Sequence, residues 1–158
     1  MFRKKGFSLI ELMIVIAIIA VLSMIAVPNF MKYLAKAKRA EAYMQLSSIY
    51  AAQKAYWAEN GKYGTQLSGQ GGIGWSPEGY AGGGSGEKFY YTYGFGGSEG
   101  TNYFTGKLGT SSNYLNQAYA NENGFLAIAV GDIDGDGYPD ILAVDQNNNI
   151  TILQDDLA

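Results

Sequence analysis

The chain has 158 residues, of which 47% are hydrophobic, and its 11 Lys or Arg against 14 Asp or Glu give a formal net charge of −3. It contains no cysteine and no histidine, which excludes disulfides, zinc sites built from those residues, and catalysis by a thiol or an imidazole. The acidic balance also argues against nucleic acid as a main ligand of the isolated chain.

The first thirty residues join a short basic segment to a long apolar stretch. Residues 3–5 are cationic, Gly6 follows, and the stretch then runs to Val27 with a single carboxylate, Glu11. About 20 apolar residues are enough to cross a bilayer, and the preceding cations keep the amino end cytoplasmic. A charged side chain at membrane depth costs roughly 2.5 to 3.5 kcal/mol, so Glu11 calls for a partner or a function.

Residues 6–30, GFSLIELMIVIAIIAVLSMIAVPNF, resemble the class III signal of type IV pilins and their pseudopilin relatives. The resemblance implies that a membrane prepilin peptidase cuts after Gly6, that the new amino-terminal Phe7 is N-methylated, and that Glu11 meets the amino terminus of a neighbouring subunit. An ammonium and a carboxylate neutralise each other where water is scarce, whereas an unpaired charge there is strongly disfavoured. Phe7 and Glu11 are therefore expected to be assembly residues, and residues 1–6 a cleaved leader.

The apolar pattern predicts one helix from about residue 7 to residue 59. Its first part, 7–28, is expected to lie in the membrane and later in a filament core, and 29–60 to continue as an amphipathic helix. Pro28 lacks a backbone donor, so it should kink or loosen the helix, and we count it among the assembly residues. An ordinary secretory signal or single-pass anchor is the alternative, but no small-residue cleavage site follows the apolar stretch.

Beyond the proline, helical periodicity predicts two apolar faces. The first is expected to contact neighbouring subunits, with packing against the chain's own head as the alternative. Its residues are Phe30, Tyr33, Leu34, Ala37, Ala40 and Met44. The second face is expected to dock on the head. Its residues are Tyr43, Leu46, Tyr50 and Trp57.

Asn60 and Gly61 provide a helix-stop signal. Residues 61–86 hold eleven of the 22 glycines and are predicted to form a surface loop. Residues 87–158 are predicted to form a small antiparallel sheet, so that the fold class is α+β and pilin-like. The expected strands lie within 88–95, 102–107, 125–130, 141–144 and 150–153, with a short helical turn in 113–121 and a tight turn at 146–149.

Residues 132–140, DIDGDGYPD, place carboxylates at alternating positions between two predicted strands. They resemble the front of an EF-hand-type calcium loop, with Asp132, Asp134, Asp136 and Asp140 as ligands and the carbonyl of Tyr138 as a further oxygen. Such a dense set of hard oxygen ligands suits Ca²⁺ better than Mg²⁺. The twelfth loop position is Ala143 instead of a bidentate glutamate, and an ordinary polar turn is the alternative interpretation.

No catalytic motif accompanies these features, so the chain is not predicted to be an enzyme. The resemblance implies a structural subunit that waits in the bacterial inner membrane, is processed by prepilin peptidase, and is polymerised by the pilus assembly machinery into an extracellular homopolymer for adhesion or motility. Two alternatives stay open. One is a major pseudopilin of a type II secretion system, and the other is a calcium-dependent binding module tethered to the membrane.

Overall fold

The computed structural model describes residues 6–157, so the predicted leader residues 1–5 and the last residue, 158, lie outside the described residues. A long helix precedes a small antiparallel sheet, which confirms the predicted α+β class. The chain divides between Leu34 and Ala35 into two compact units. We call residues 6–34 the amino-terminal unit and residues 35–157 the carboxyl-terminal unit.

Helix α1 spans Leu9–Asn60 and is continuous through Pro28. It ends as predicted, because Gly61 adopts a positive φ of 68° and its N–H donates to the carbonyl of Trp57 at 2.8 Å. A residue without a Cβ adopts this left-handed backbone at little cost, which is why glycine commonly terminates helices. The predicted helix boundaries are thus confirmed to within two residues at each end.

The sheet has six short strands, all antiparallel. They are β1 (Thr92–Gly94), β2 (Tyr103–Phe104), β3 (Tyr119–Ala120), β4 (Phe125–Gly131), β5 (Asp140–Asp145) and β6 (Ile150–Gln154). Their order is β2-β1-β4-β5-β6, and β3 pairs with the start of β4. A 3-10 helix, Ser112–Leu115, and β3 occupy the region where a helical turn was predicted.

The docking face of α1 differs in part from the prediction. Leu46 is fully buried as expected, and Tyr50 packs against the core beside Phe125. Trp57 is 44% exposed but stacks on Tyr63, with ring centroids 6.2 Å apart, whereas Tyr43 is 36% exposed and lies at the margin of this face. The buried residues of α1 are Ala35, Ala42, Leu46, Ile49 and Gln53. Small alanines on this face leave room for the large aromatic side chains contributed by the rest of the unit, such as Tyr91 and Phe125, which belong to the same buried cluster.

The glycine-rich segment 61–86 contains no helix or strand and is mostly exposed, but four of its apolar side chains are not at the surface. Tyr63, Leu67, Ile73 and Trp75 are buried in the core. Hydrogen bonds to α1 hold this segment in place: the buried side-chain amide of Gln53 donates to the carbonyl of Gly64 at 2.6 Å and accepts from its N–H at 3.0 Å. The Trp75 indole N–H donates to the Ser48 hydroxyl at 2.7 Å. Glycines here allow the turns, while the intervening aromatics complete the core.

Candidate functional site

The amino-terminal unit exposes every one of its described residues. Phe7 is 85% exposed, and apolar side chains such as Ile14 and Leu22 are 53% and 62% exposed. Among the described residues, α1 is long and apolar enough to cross a membrane by length and composition. Exposed large hydrophobics over a whole unit indicate a surface that a bilayer or other protein covers.

Glu11 is held within its own helix turn. Its Oε2 accepts hydrogen bonds from the N–H and the hydroxyl of Ser8, both at 2.8 Å, and the Ser8 hydroxyl oxygen accepts from the N–H of Glu11 at 3.3 Å. This is a capping box, in which a serine at the helix start and a glutamate three residues later satisfy each other's backbone groups. Glu11 thus has local partners in the single chain, a role that the sequence analysis did not assign to Ser8.

On the first predicted face of α1, all of the residues proposed for neighbour contacts are exposed. In the amino-terminal unit, Phe30 is 66% and Tyr33 is 71% exposed, and in the carboxyl-terminal unit Met44 is 67% exposed. Within the carboxyl-terminal unit, Ala37, Ala40 and Met44 therefore do not belong to the buried core.

The carboxylate loop between β4 and β5 brings its first three aspartates together. One carboxylate oxygen from each of Asp132, Asp134, Asp136 and Asp156 lies within 4.8 Å of the others. The loop is folded by its own side chains: Asp132 accepts from the N–H groups of Gly135 and Gly137 at 2.7 and 3.0 Å. We call these four aspartates the carboxylate cluster.

Asp156 is the member of the carboxylate cluster that the sequence analysis missed. It follows β6, is 9% exposed, and accepts from the N–H of Ile133 at 2.9 Å through Oδ2. Its Oδ1 is buried and has no hydrogen-bond partner among the described residues. Burial raises the pKa of Asp156, and the negative charges of Asp134 and Asp132 raise it further.

Asp140, the predicted fourth ligand, lies elsewhere. Its fully buried carboxylate receives two hydrogen bonds from the Arg39 guanidinium, at 2.6 and 2.9 Å, and one from the Tyr91 hydroxyl at 2.6 Å. A bidentate arginine pair of this kind compensates the buried charge. Arg39 also pairs with Asp155, and this hydrogen bond holds the pKa of Asp155 below its usual range.

The remaining predicted ligand, Tyr138, lies in the loop with a side chain 56% exposed, and its N–H donates to Asp136 at 2.7 Å. Helix α1 approaches the loop through Lys38, whose ammonium donates to the carbonyl of Ile133 at 2.6 Å. The loop is therefore tied to the helix on one side and to the segment after β6 on the other.

Known proteins match both of these regions. A family model described as the prokaryotic N-terminal methylation motif matches residues 1–27. Over 61 residues the chain is 51% identical to the type IV major pilin protein PilA of Myxococcus xanthus, an alignment covering 39% of this chain and 28% of that protein. Over the stretch that these comparisons cover, the chain is similar to type IV pilins. Another family model, described as the FG-GAP repeat, matches residues 125–153, which include β4, β5 and the loop between them.

Another pilin and a secretion-system protein match a similar fraction of the chain. It is 42% identical over 60 residues to the type IV major pilin protein PilE1 of Neisseria gonorrhoeae, covering 38% of this chain and 36% of that protein. It is 39% identical over 62 residues to the type II secretion system core protein G of Pectobacterium carotovorum subsp. carotovorum, covering 39% of this chain and 40% of that protein. The chain thus spans less than half the length of these relatives.

Proposed function

We propose that this chain is the structural subunit of a type IV pilus, held first in the bacterial inner membrane and then polymerised into an extracellular filament. The observation that carries the proposal is the exposed apolar surface of the amino-terminal unit, most of which lies within residues 1–27, the range that matches the methylation motif. Each large aliphatic side chain removed from water contributes roughly 1.5 to 3 kcal/mol. A surface of this extent needs a bilayer before assembly and neighbouring helices afterwards.

Processing and assembly follow from the residues at the start of α1. Cleavage after Gly6 by a prepilin peptidase frees the amine of Phe7, the position at which N-methylation takes place. In the polymer, that ammonium meets the Glu11 carboxylate of a neighbouring subunit, so that both charges are neutralised in a medium of low dielectric constant. The pilus assembly machinery moves the subunit out of the membrane, and apolar burial among many copies of α1 stabilises the filament core.

We further propose that the carboxylate cluster holds a structural Ca²⁺. The residues fit such an ion, because Asp132, Asp134, Asp136 and Asp156 each offer an oxygen within 4.8 Å of the others and Asp156 has a buried oxygen without a partner among the described residues. Calcium accepts six to eight oxygen ligands in flexible geometry, whereas magnesium demands a near-ideal octahedron and usually keeps several waters. The carbonyl of Tyr138 stays a candidate ligand; Asp140 is better explained by its pair with Arg39.

The filament proposal is tested by replacing Glu11 with alanine in cells that produce the chain. We expect processed protein in the membrane but at least a tenfold loss of polymer in the sheared fraction, because the Phe7 amine loses its partner. Glu59→Ala, which removes another exposed carboxylate of α1, is the matched control and should polymerise normally. Normal fibres from Glu11→Ala would contradict the pairing. Electron cryo-microscopy of the wild-type fibre should show chains that begin at Phe7.

A major pseudopilin of a type II secretion system is the second candidate, favoured by the similarity to core protein G. The higher identity to the pilin PilA, 51% against 39%, supports the pilus. Neighbouring genes separate the two: a retraction ATPase favours the pilus, and a secretin beside exoprotein genes favours secretion. A tethered binding module would instead give a monodisperse membrane protein and no fibres.

A further inference from the structure

We propose that Asp156 closes the cation site, and that the bound ion thereby fastens residues 155–157 against helix α1 at Lys38 and Arg39. The inference rests on the calcium proposal above and adds a regulatory consequence to it. The ion would control whether the segment after β6 stays attached to the helix, and not merely the shape of the loop.

Asp156 differs from the three aspartates of the loop, because its carboxylate is buried. This side chain is more than nine-tenths buried, and its Oδ2 is already fixed by the N–H of Ile133. Its Oδ1 is buried as well and has no hydrogen-bond partner among residues 6–157. A buried carboxylate oxygen without a partner is costly, and a cation between Asp156 and the loop removes that cost.

The backbone around Asp156 leads directly to the helix. The N–H of Asp156 donates to Asp140 Oδ1 at 3.3 Å, and Asp140 is held by Arg39. The preceding residue, Asp155, pairs with the same guanidinium. On the other side of the cluster, Lys38 donates to the carbonyl of Ile133, the residue whose N–H binds Asp156. Two consecutive helix residues therefore hold the two segments that the ion would join.

Without an ion, the negative charges of the loop repel Asp156. The four carboxylate oxygens lie within 4.8 Å of one another, a separation at which unit charges interact by about 1 kcal/mol in water and by more in a medium of lower dielectric constant. We therefore expect the segment 155–157 to separate from the loop when the ion is removed. The Arg39–Asp140 pair then loses the cover that this segment provides.

The test is hydrogen exchange of the full chain in detergent micelles, in Ca²⁺ at about 1 mM, a concentration at which extracellular calcium modules bind, and in EGTA. We expect peptides covering 131–137 and 154–157 to exchange at least tenfold more slowly with calcium. Calcium should slow the exchange of peptides covering 35–42 to a smaller extent. The exchange rate of peptides covering 61–76, a control range that is remote from the cluster in sequence, should not change.

Two variants with the same change of charge sharpen the result, and calorimetric titration with Ca²⁺ measures their affinity. Asp156→Asn should weaken calcium binding at least tenfold and abolish the calcium-dependent protection of 154–157. Glu122→Gln, at an exposed position outside the cluster, should keep calcium affinity within about a factor of two. If Asp156→Asn fails to fold, hydrogen exchange of the wild-type chain in Ca²⁺ and in EGTA still tests the proposal.

The outcomes separate the proposals. Calcium binding to the wild type without any change in exchange of 154–157 would overturn the attachment of this segment and leave the loop site standing. Absence of calcium binding would overturn both the cation site and this inference. Neither result affects the filament proposal, because assembly is measured independently through Glu11.

Discussion

The two units contain similar apolar residues and use them in opposite ways. In the amino-terminal unit all described residues are exposed, including Ile19 at 56%. In the carboxyl-terminal unit the isoleucine on the same helix, Ile49, is fully buried. The two parts of the helix therefore differ: the second part stabilises the fold of its own chain, and the first part leaves its hydrophobic surface exposed.

Carboxylates show the same contrast. Glu11 is satisfied by Ser8, three residues away, so its environment is a property of one helix turn. Asp140 is satisfied by Arg39, which is 101 positions away in the sequence, so its environment exists only in the folded unit. Substitutions in the carboxyl-terminal unit should accordingly change the free energy of unfolding, whereas substitutions in the amino-terminal unit should change membrane association and assembly.

The largest effect is expected from Arg39→Met, which leaves the buried Asp140 carboxylate without its cation. Removal of one partner of a buried ion pair costs about 3 to 5 kcal/mol. Urea unfolding of the full chain in detergent, followed by tryptophan fluorescence, measures this loss. Lys62→Met, at an exposed position, is the control. A loss below about 1 kcal/mol would show that the pair is not compensating a buried charge.

The comparison of the two units is tested most directly by one substitution made in each. Ile49→Ala should lower the free energy of unfolding by about 2 to 5 kcal/mol, because it removes buried methyl groups and leaves a cavity. Ile19→Ala should leave it within about 0.5 kcal/mol of the wild type. Equal losses in the same urea assay would mean that the amino-terminal unit contributes to the packed core.

A smaller effect is expected from steric crowding at Gly106. A Cβ at this position would lie 2.3 Å from the carbonyl oxygen of Tyr91 and 2.4 Å from that of Tyr90. Since these are backbone atoms, the chain itself must move, and we expect Gly106→Ala to cost about 1 to 3 kcal/mol. Gly86→Ala, where a Cβ has nothing within 4 Å, is the matched control. Similar melting temperatures for both variants would contradict the close approach of residue 106 to the two tyrosine carbonyls.

The smallest effect is a loss of stability at alkaline pH, and it is expected only in the carboxyl-terminal unit. Burial raises the pKa of Tyr91 and of Tyr93, and the nearby carboxylates of Asp140 and Glu41, respectively, raise these pKa values further. The unfolded chain loses these protons near pH 10 and the folded chain retains them, so stability present below about pH 10 is lost as the pH rises. Tyrosinate absorbance and circular dichroism should show delayed ionisation followed by unfolding of the sheet. Ionisation of all tyrosines near pH 10 without unfolding would contradict burial of the two hydroxyls.

Local signals in the sequence were sufficient for the apolar span, the helix end at Gly61, and strands β4 to β6, because periodicity and turn residues determine these elements. They were insufficient for Tyr43, because a large aromatic side chain can lie at the margin of the buried face instead of at its centre. The buried Trp75 was missed for a related reason. The glycine content of its segment predicts a loop, whereas the burial of Trp75 depends on tertiary contacts with α1, which a local pattern does not reveal.

The carboxylate loop shows the same limit. The grouping of Asp132, Asp134 and Asp136 follows from a short pattern. The exchange of Asp140 for Asp156 depends on Arg39, far away in the sequence, and on the register of the β5–β6 hairpin, in which Ile141 pairs with Gln154. That register returns residues just beyond Gln154 to the level of Asp140. Pairing the two predicted strands across the turn at 146–149 would have placed the residues after 153 near Asp140, and could in this way have identified Asp156.

The capping box at the start of α1 determines what Glu11 would meet if a subunit left the proposed filament. In the polymer proposed above, a subunit that leaves the filament gives up the amine of its neighbour. Its Glu11 does not become a bare charge, because both donors of Ser8 remain within 2.8 Å in the same chain. In that polymer, departure would exchange one partner of Glu11 for another and would not expose an unpaired carboxylate.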